Sequence, residues 1–202
     1  MKYKFKTKPY EHQLLALTKS WNKREYAYFM EMGTGKSKVL IDNIAVLYDK
    51  GGINAAIIIA PKGVYRNWSS KEIPIHMPDH VETQIAVWNP APNRKQKKEL
   101  TDLFEVNLKS NLAHSVLIAV DESTTIKNPK AQRTKNLLKL SINCKYKRIL
   151  TGFPVTQSPL DLYSQCAFLS NDLLGYTSFY SFQNRYAKLF NRRMGQRSFR
   201  QV

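Results

Sequence analysis

Five short apolar runs, separated by stretches of helical or polar pattern, constrain the fold of this chain more than any other feature. The runs are YAYFM (26–30), AAIIIA (55–60), TQIAVW (83–88), SVLIAV (115–120) and YKRIL (146–150). Each is far shorter than a membrane helix, and their alternation with helical segments is typical of parallel strands joined by crossover helices. The sequence therefore predicts an α/β fold of three layers, with a mostly parallel sheet and helices on both faces.

Three of the intervening segments carry helix signals. Residues 36–49 place apolar side chains at three- and four-residue steps, as a helix packed on a sheet requires. Asn128 is expected to cap a helix that begins at Pro129, and Ser158 one that begins at Pro159. The last of these helices is apolar on nearly every side, so we expect it to be buried or at an interface.

The charge balance indicates a polyanionic partner. The chain has 202 residues, enough for one domain, and its 32 Lys and Arg against 15 Asp and Glu give a formal charge of +17. Such an excess favours nucleic acid. The run RKQKK (94–98) is expected to be the exposed face of a helix. No acid follows Asp172, while basic residues accumulate at Arg185, Lys188, Arg192, Arg193, Arg197 and Arg200.

The chain carries no signal for secretion or for a membrane partner. Cys144 and Cys166 are its only cysteines, too few for a disulfide scaffold and consistent with a reducing compartment. The N-terminus is charged and lacks the apolar core of a signal peptide. We expect a cytoplasmic protein, in a prokaryotic or viral setting.

A glycine-rich turn follows the first apolar run. It consists of Gly33, Thr34, Gly35, Lys36 and Ser37. A strand, a glycine turn and a helix in this order direct backbone N–H groups and the positive end of the helix at one point, which suits phosphate. Lys36 would reach the β- and γ-phosphates of a nucleotide, and the Ser37 hydroxyl would hold Mg²⁺. The usual pattern has a further glycine at the position of Met30.

Two acids complete this chemistry. Asp121 and Glu122 follow the strongly apolar run SVLIAV, at the edge where open α/β sheets bind ligands. Asp121 would support Mg²⁺, and Glu122 would orient and deprotonate a water that attacks the γ-phosphate. The two motifs together predict an ATP–Mg²⁺ site.

Five stretches, in order, resemble a known family. They are KPYEHQLLAL (8–17), MEMGTGKS (30–37), IIAPKGVYRNW (58–68), DESTTIKNP (121–129) and RILTGFPVTQSPLDLYSQ (148–165). They look like successive motifs of the first RecA-like lobe of superfamily 2 helicases (DEAD/DEAH-box type), in the SNF2-like branch. That branch commonly lacks the first glycine, which accounts for Met30.

The resemblance implies ATP-driven translocation on DNA, usually double-stranded and without sequence preference. It assigns adenine recognition to Gln13 and the coupling of nucleotide state to DNA contact to Thr151 and Gly152. It assigns nucleic-acid contact to Pro61, Lys62 and Trp68. We expect the other prominent aromatic residues to lie in the core, namely Tyr10, Trp21, Tyr65 and Trp88.

The chain also departs from the family pattern. Phe153 stands where relatives usually have Thr or Ser, and the segment 104–116 is short. Residues 1–170 are expected to form the ATP-binding lobe, and residues 171–202 a basic segment leading towards a second lobe, whose arginines complete the site in relatives. That lobe is absent from this chain, so we expect weak hydrolysis unless another chain supplies the arginines.

Two other functions stay open at this stage. An intact first lobe could act as a non-catalytic module that binds nucleotide and DNA. A P-loop phosphotransferase for a small molecule is the second alternative, although it would need the missing glycine and no basic excess.

Overall fold

A five-stranded, all-parallel sheet forms the centre of the computed structural model, which describes residues 3–90, 115–188, 190–194 and 197–201 and the single positions 94, 98 and 102. Its strands are β1 (Glu25–Phe29), β2 (Ala55–Ile59), β3 (Gln84–Trp88), β4 (Val116–Asp121) and β5 (Tyr146–Thr151). Their order across the sheet is β1-β5-β4-β2-β3. All five strands expected from the apolar runs are confirmed.

Helices precede, connect and follow these strands. They are α1 (Glu11–Ser20), α2 (Lys36–Asp49), α3 (Tyr65–Asn67), α4 (Ile73–His76), α5 (Gln132–Ser141), α6 (Asp161–Leu169) and α7 (Phe179–Tyr186). A π-helical turn (Trp68–Glu72) joins α3 to α4, and a short 3₁₀ helix (Ser123–Ile126) follows β4. β6 (Phe190–Met194) and β7 (Arg197–Gln201) form a separate antiparallel pair that the sequence did not predict.

Alternate residues of the central strands face two cores. In β2, Ala56 and Ile58 pack with α1 and α2, whereas Ile57 and Ile59 pack with α5 and α6. The side chains of these strand residues are fully buried because helices cover both faces. The three-layer α/β architecture is therefore confirmed.

Two helices begin later than their capping residues predicted. The Asn128 side chain accepts a hydrogen bond from Lys130 N (2.9 Å), and its carbonyl accepts one from Ala131 N (3.2 Å), which closes a turn before α5. Ser158 accepts from Asp161 N (3.0 Å) in a similar turn before α6. Asn and Ser form such turns as readily as helix caps. Five residues of α6 are buried and none is exposed, in agreement with the expectation that it is buried or at an interface.

A buried arginine, which the sequence did not indicate, ties the first helix to the sheet. Arg148 in β5 is fully buried, and burial lowers the pKa of its guanidinium. Its donors reach Asn43 Oδ1 and the carbonyls of Ser20, Lys23, Arg24 and Lys147, at 2.8–3.1 Å. The five N–H groups of the side chain are therefore satisfied by neutral acceptors, as burial requires.

The segment after residue 170 packs against the lobe as far as α7. Phe182 of α7 is buried, and its ring lies 5.5 Å from that of Tyr163 in α6. Arg94 and Lys98 are helical and exposed, but the middle of that run, most of the segment 104–116 and the side chains of the arginines beyond residue 188 lie outside the described residues. Within the described ranges, no helix is long and apolar enough to cross a membrane.

A carboxylate fastens the loop after β5 to the start of α6. Asp161 Oδ2 accepts hydrogen bonds from Thr156 N (2.9 Å), Thr156 Oγ1 (2.7 Å) and Gln157 N (2.9 Å), and Lys127 Nζ lies 3.3 Å away. Burial opposes the charged form, but these hydrogen bonds prevail and lower the pKa of Asp161 to about 2. The ionised carboxylate therefore stabilises this loop.

This network predicts a pH dependence of stability. Because the folded pKa of Asp161 lies below the unfolded one, its contribution is complete above about pH 4 and is lost as the pH falls towards 2. The loss is about 2 kcal/mol of unfolding free energy. Denaturant unfolding between pH 7 and pH 2 should show that Asp161→Asn is less stable than wild type at neutral pH. Its unfolding free energy should also fall less than that of wild type as the pH is lowered. The exposed Asp172→Asn variant should follow wild type; equal profiles for both variants would contradict the prediction.

Candidate active site

A cleft of about 410 Å³ opens at the carboxyl ends of the strands. The side chains that line it come from the glycine turn, the segment after β2 and the end of β4; they are Met32, Gly33, Gly35, Lys36, Ser37, Val64, Asn67, Trp68, Glu72, Asp121 and Glu122. This volume lies within the range of small-ligand sites, and the position matches the edge where α/β sheets bind ligands. Gly33, Gly35, Lys36, Ser37, Asp121 and Glu122 thus share one cleft.

The glycine turn adopts a backbone that favours glycine at two positions. Gly33 has φ 77° and Gly35 has φ 79°, both left-handed. A Cβ on Gly33 would meet nothing within 4 Å, so the turn is open on that side, whereas a Cβ on Gly35 would come 2.3 Å from Gln13 Nε2. Gly35 also caps α2, whose first backbone N–H groups have no partner within the helix and suit an anion.

Gln13 holds this turn against α1. Its side chain is only 4% exposed; Nε2 donates to Thr34 O (2.9 Å), and Oε1 accepts from Tyr10 N (3.0 Å). Both ends of the amide are therefore engaged within the chain. Adenine recognition by Gln13 stays a prediction, and the observed contacts give the residue a structural role in addition.

The lysine of the turn is folded onto its own loop. Lys36 Nζ donates to Met30 O and to Glu31 O, at 3.0 Å each. Both acceptors are neutral carbonyls, so the ammonium charge has no anionic partner in these two contacts. A phosphate in the cleft would offer Lys36 a stronger, charge-assisted hydrogen bond.

Asp121 is held by a hydrogen bond to each of its oxygens. Oδ1 accepts from Glu122 N (3.0 Å) and Oδ2 accepts from the indole Nε1 of Trp68 (3.0 Å). Burial raises the pKa of Asp121 above its ordinary value, although the hydrogen bond from Trp68 opposes this effect. A carboxylate in such a site gains from a nearby cation.

Glu122 has a strained backbone. Its φ of 48° and ψ of 63° are left-handed, and within the described ranges it is the one non-glycine residue with positive φ. Such strain is concentrated at functional sites. Its Oε2 accepts a long hydrogen bond from Thr151 Oγ1 (3.3 Å), which in turn accepts from Phe153 N (3.2 Å). The structure thus brings Glu122 next to Thr151.

The loop after β5 also approaches the glycine turn. A Cβ on Gly152 would come 3.2 Å from Met32 Cγ, which leaves little room for a side chain. Beneath the site, Ser123 Oγ donates to Gln165 Oε1 (2.6 Å), and Gln165 Nε2 donates to Pro154 O (2.7 Å). The acidic strand, this loop and α6 are therefore connected by hydrogen bonds.

The three residues assigned to nucleic-acid contact differ in accessibility. Lys62 is exposed and Pro61 is half-buried, but the side chain of Trp68 is only 2% exposed. With both ring faces covered, Trp68 has no surface on which a base could stack. Among the aromatic residues expected in the core, Trp88 is buried, whereas Tyr10 is 72% exposed and that expectation was wrong.

The cleft contains residues that sequence reasoning missed. Val64, Asn67 and Glu72 line it, although the segment after β2 was associated with nucleic acid alone. Burial raises the pKa of the Glu72 carboxyl. The only local signal was an acid four residues after Trp68; the π turn that carries both residues is visible only in three dimensions, and such turns are frequent at functional sites.

The donor set suits a nucleoside triphosphate with Mg²⁺. An ammonium, a helix N-terminus and an open glycine turn face the cleft beside a hydroxyl and a carboxylate. Mg²⁺ usually binds one or two carboxylates together with phosphates instead of a cage of protein ligands. Consistently, the described residues hold no cluster of three His, Cys, Asp or Glu side chains that could bind a metal ion alone.

Comparison with known proteins identifies similar families and folds. The family model of the SNF2-related domain matches residues 27–200. The chromatin-remodeling ATPases INO80 of Sclerotinia sclerotiorum and Saccharomyces cerevisiae are each 25% identical over 165 residues, which cover 71% of this chain and 9% and 11% of those proteins. These curated relatives give no support to the prokaryotic or viral setting expected from the sequence.

Solved structures share the fold. The Sulfolobus solfataricus SWI2/SNF2 ATPase core in complex with dsDNA superposes with a TM-score of 0.72 at 20% identity, over 93% of this chain and 40% of that one. The SWI2/SNF2 ATPase core domain from the same organism superposes with a TM-score of 0.67 at 20% identity, over 91% of this chain and 39% of that one. The RecA-like fold predicted from the motifs is confirmed.

The two glycines of the turn make a matched test of the site geometry. Gly33→Ala should cost about 1 kcal/mol of unfolding free energy, from left-handed strain alone. Gly35→Ala should cost at least about 1 kcal/mol more, because its Cβ displaces Gln13 from Thr34. Denaturant unfolding measures both. In the Gln13→Ala background, Gly35→Ala should lose its additional cost in unfolding free energy, whereas the cost of Gly33→Ala should not change. If the costs of Gln13→Ala and Gly35→Ala were simply additive, as for Gln13→Ala and Gly33→Ala, the contact between Gln13 and residue 35 would be refuted.

Proposed function

This chain belongs to the SNF2-related family, and on that premise we propose that it is the ATP-binding lobe of an SNF2-type ATPase that acts on duplex DNA. The observation that carries the proposal is the convergence of the glycine turn and the Asp121–Glu122 pair on one cleft. Phosphate-binding and water-activating groups from distant parts of the chain are what ATP hydrolysis requires.

Each residue assigned to the nucleotide has a proposed task. Gly33, Thr34 and Gly35 give the turn its shape, and Lys36 leaves the carbonyls of Met30 and Glu31 to donate to the β- and γ-phosphates of ATP. Ser37 and Asp121 would hold Mg²⁺, which would neutralise charge on the phosphates. Gln13 contacts adenine while it supports the turn.

Glu122 is proposed as the group that acts on water. Glu122 lines the cleft beside Asp121, where its carboxylate can orient a water towards the γ-phosphate and accept a proton. Thr151 donates to the same carboxylate. Through Thr151 and Gly152 the position of Glu122 depends on the loop after β5, which is the proposed route of coupling.

Duplex DNA is the proposed polyanionic partner. The charge of +17 supports a phosphate-dominated interaction without sequence preference. Exposed Lys62 after β2 is a proposed phosphate contact, with Pro61 shaping the segment. One similar structure is described as an ATPase core in complex with dsDNA, which agrees with this choice.

A second lobe is proposed to complete the site. We assign the ATP-binding lobe to residues 1–170 and a basic connecting segment to 171–202. The chain spans about 40% of the solved ATPase core and about a tenth of the curated relatives. Arginines from elsewhere would compensate charge in the transition state, a contribution of about 10³ to 10⁵ in rate. Residues 1–202 alone should therefore bind ATP but hydrolyse it slowly.

The first test concerns nucleotide. Residues 1–202 should bind ATP in the presence of Mg²⁺, and Lys36→Ala should abolish the binding because the phosphates lose their cation. Isothermal titration calorimetry measures both. Lys62→Ala is the matched control, since it removes an exposed lysine outside the cleft and should leave affinity unchanged. Equal affinity in Lys36→Ala and wild type would exclude the site.

The second test concerns DNA. The logarithm of affinity for a blunt duplex should fall linearly with the logarithm of salt concentration, at a slope of about −0.9 per phosphate contacted. Lys62→Ala should make this slope shallower by the amount expected for the loss of about one phosphate contact, and the change should be similar for duplexes of unrelated sequence. Lys36→Ala should follow wild type. Fluorescence anisotropy at several salt concentrations gives the slopes, and an affinity insensitive to salt would argue against DNA.

A further inference from the structure

The segment after β2 has two chemically different sides. Lys62, Arg66 and Lys71 are exposed, and in the described part of the chain none of them pairs with a carboxylate. Trp68, from the same segment, is buried and donates to Asp121 Oδ2 at 3.0 Å. We call residues 61–72 the basic segment. The basic segment therefore carries cations without a carboxylate partner on its surface, and its buried Trp68 contacts the acid of the candidate metal site.

We propose that Trp68 is a positioning residue: it fixes the carboxylate that holds Mg²⁺ and links that carboxylate to the basic segment, so that DNA bound to the segment changes Mg²⁺ binding. The inference rests on the proposed function, and it adds a physical connection between the DNA surface and the metal.

The hydrogen bonds of Asp121 support the first half of this inference. Its Oδ1 is oriented by Glu122 N and its Oδ2 by the Trp68 indole, so the carboxylate has a single orientation in the cleft. An indole N–H can only donate, which leaves the remaining lone pairs of Asp121 for a cation. Partners of this kind orient metal ligands, and their loss typically costs 10- to 100-fold in metal affinity.

The packing of Trp68 supports the second half. Its ring belongs to the core cluster formed by α1, α2 and one face of the sheet, and Tyr65 and Ile73 on either side pack against the same cluster. Because the ring is almost fully buried against this cluster, its position is coupled to that of the basic segment. The π turn Trp68–Glu72 places Trp68 and Glu72 on the cleft while Arg66 and Lys71 stay exposed.

The first experiment measures the Mg²⁺ requirement of ATP binding. Trp68→Phe keeps an aromatic ring but removes the N–H donor. The concentration of Mg²⁺ that gives half-maximal ATP binding should rise roughly 10- to 100-fold, while affinity for ATP without Mg²⁺ should not change. Trp88→Phe is the matched control, because Trp88 is equally buried but its Nε1 has no hydrogen-bond partner among the residues that the structure describes.

The second experiment keeps Trp68 and reads it directly. In the Trp21→Phe/Trp88→Phe variant, Trp68 is the only tryptophan, so tryptophan fluorescence reports on this residue alone. Its emission should change when Mg²⁺ and ATP are added, and also when a blunt duplex is added without nucleotide. A response to duplex without nucleotide would require the basic segment to transmit DNA contact to the indole.

The outcomes distinguish a failure of the role inferred for Trp68 from a failure of the proposed function. If wild type binds ATP–Mg²⁺ and duplex but Trp68→Phe has the Mg²⁺ requirement of wild type, Trp68 does not position Asp121. If Trp68 emission is unchanged at saturating duplex, the link to DNA is wrong. If wild type binds neither ATP nor duplex, the proposed function fails and this inference with it.

Discussion

Parallel pairing of the five strands is the constraint on which the rest of this structure depends. Because every strand runs in the same direction, the glycine turn after β1, the acids after β4 and the loop after β5 all emerge at one edge of the sheet. β5 lies between β1 and β4, so Thr151 and Gly152 are inserted between the phosphate loop and the acidic pair. The strand order therefore accounts for the contacts of Glu122 with Thr151 and of Gly152 with Met32.

In a parallel sheet buried on both faces, the backbone N–H and C=O groups at the strand ends must be hydrogen-bonded, and the connecting loops must be held at the surface. Arg148 meets this requirement at the start of the sheet, where its donors satisfy the carbonyls between α1 and β1. Asp161 does so at the other end, where it fastens the loop after β5. These two side chains, one buried cation bonded to neutral acceptors and one strongly hydrogen-bonded acid, hold the frame on which the cleft is built.

The cleft contains three residues with left-handed backbone, a conformation that strains Glu122 but is readily adopted by the two glycines. Gly33, Gly35 and Glu122 all have left-handed backbone, and the approach of Gln13 to Gly35 admits no side chain. Such conformations persist only when the surroundings hold them, and here the surroundings are β1, β4 and the buried α2. Trp68 adds a polar contact from a fourth element to the same site. A rigid sheet thus supports a small set of residues with left-handed backbone, whose positions depend on several neighbouring elements.

The sequence by itself determined the strands, the crossover helix α2, the glycine turn and the acidic pair, because each is encoded by local periodicity or by a short run of residue types. Only the tertiary structure decided the later starts of α5 and α6, where Asn128 and Ser158 form turns, and the roles of residues whose partners are distant in the chain. Gln13 meets Thr34, Arg148 meets the end of α1, and Trp68 meets Asp121. In the sequence, a buried tryptophan that contacts an acid cannot be told from an exposed tryptophan that stacks on DNA. The two are distinguished by their contacts with distant residues, which only the fold determines.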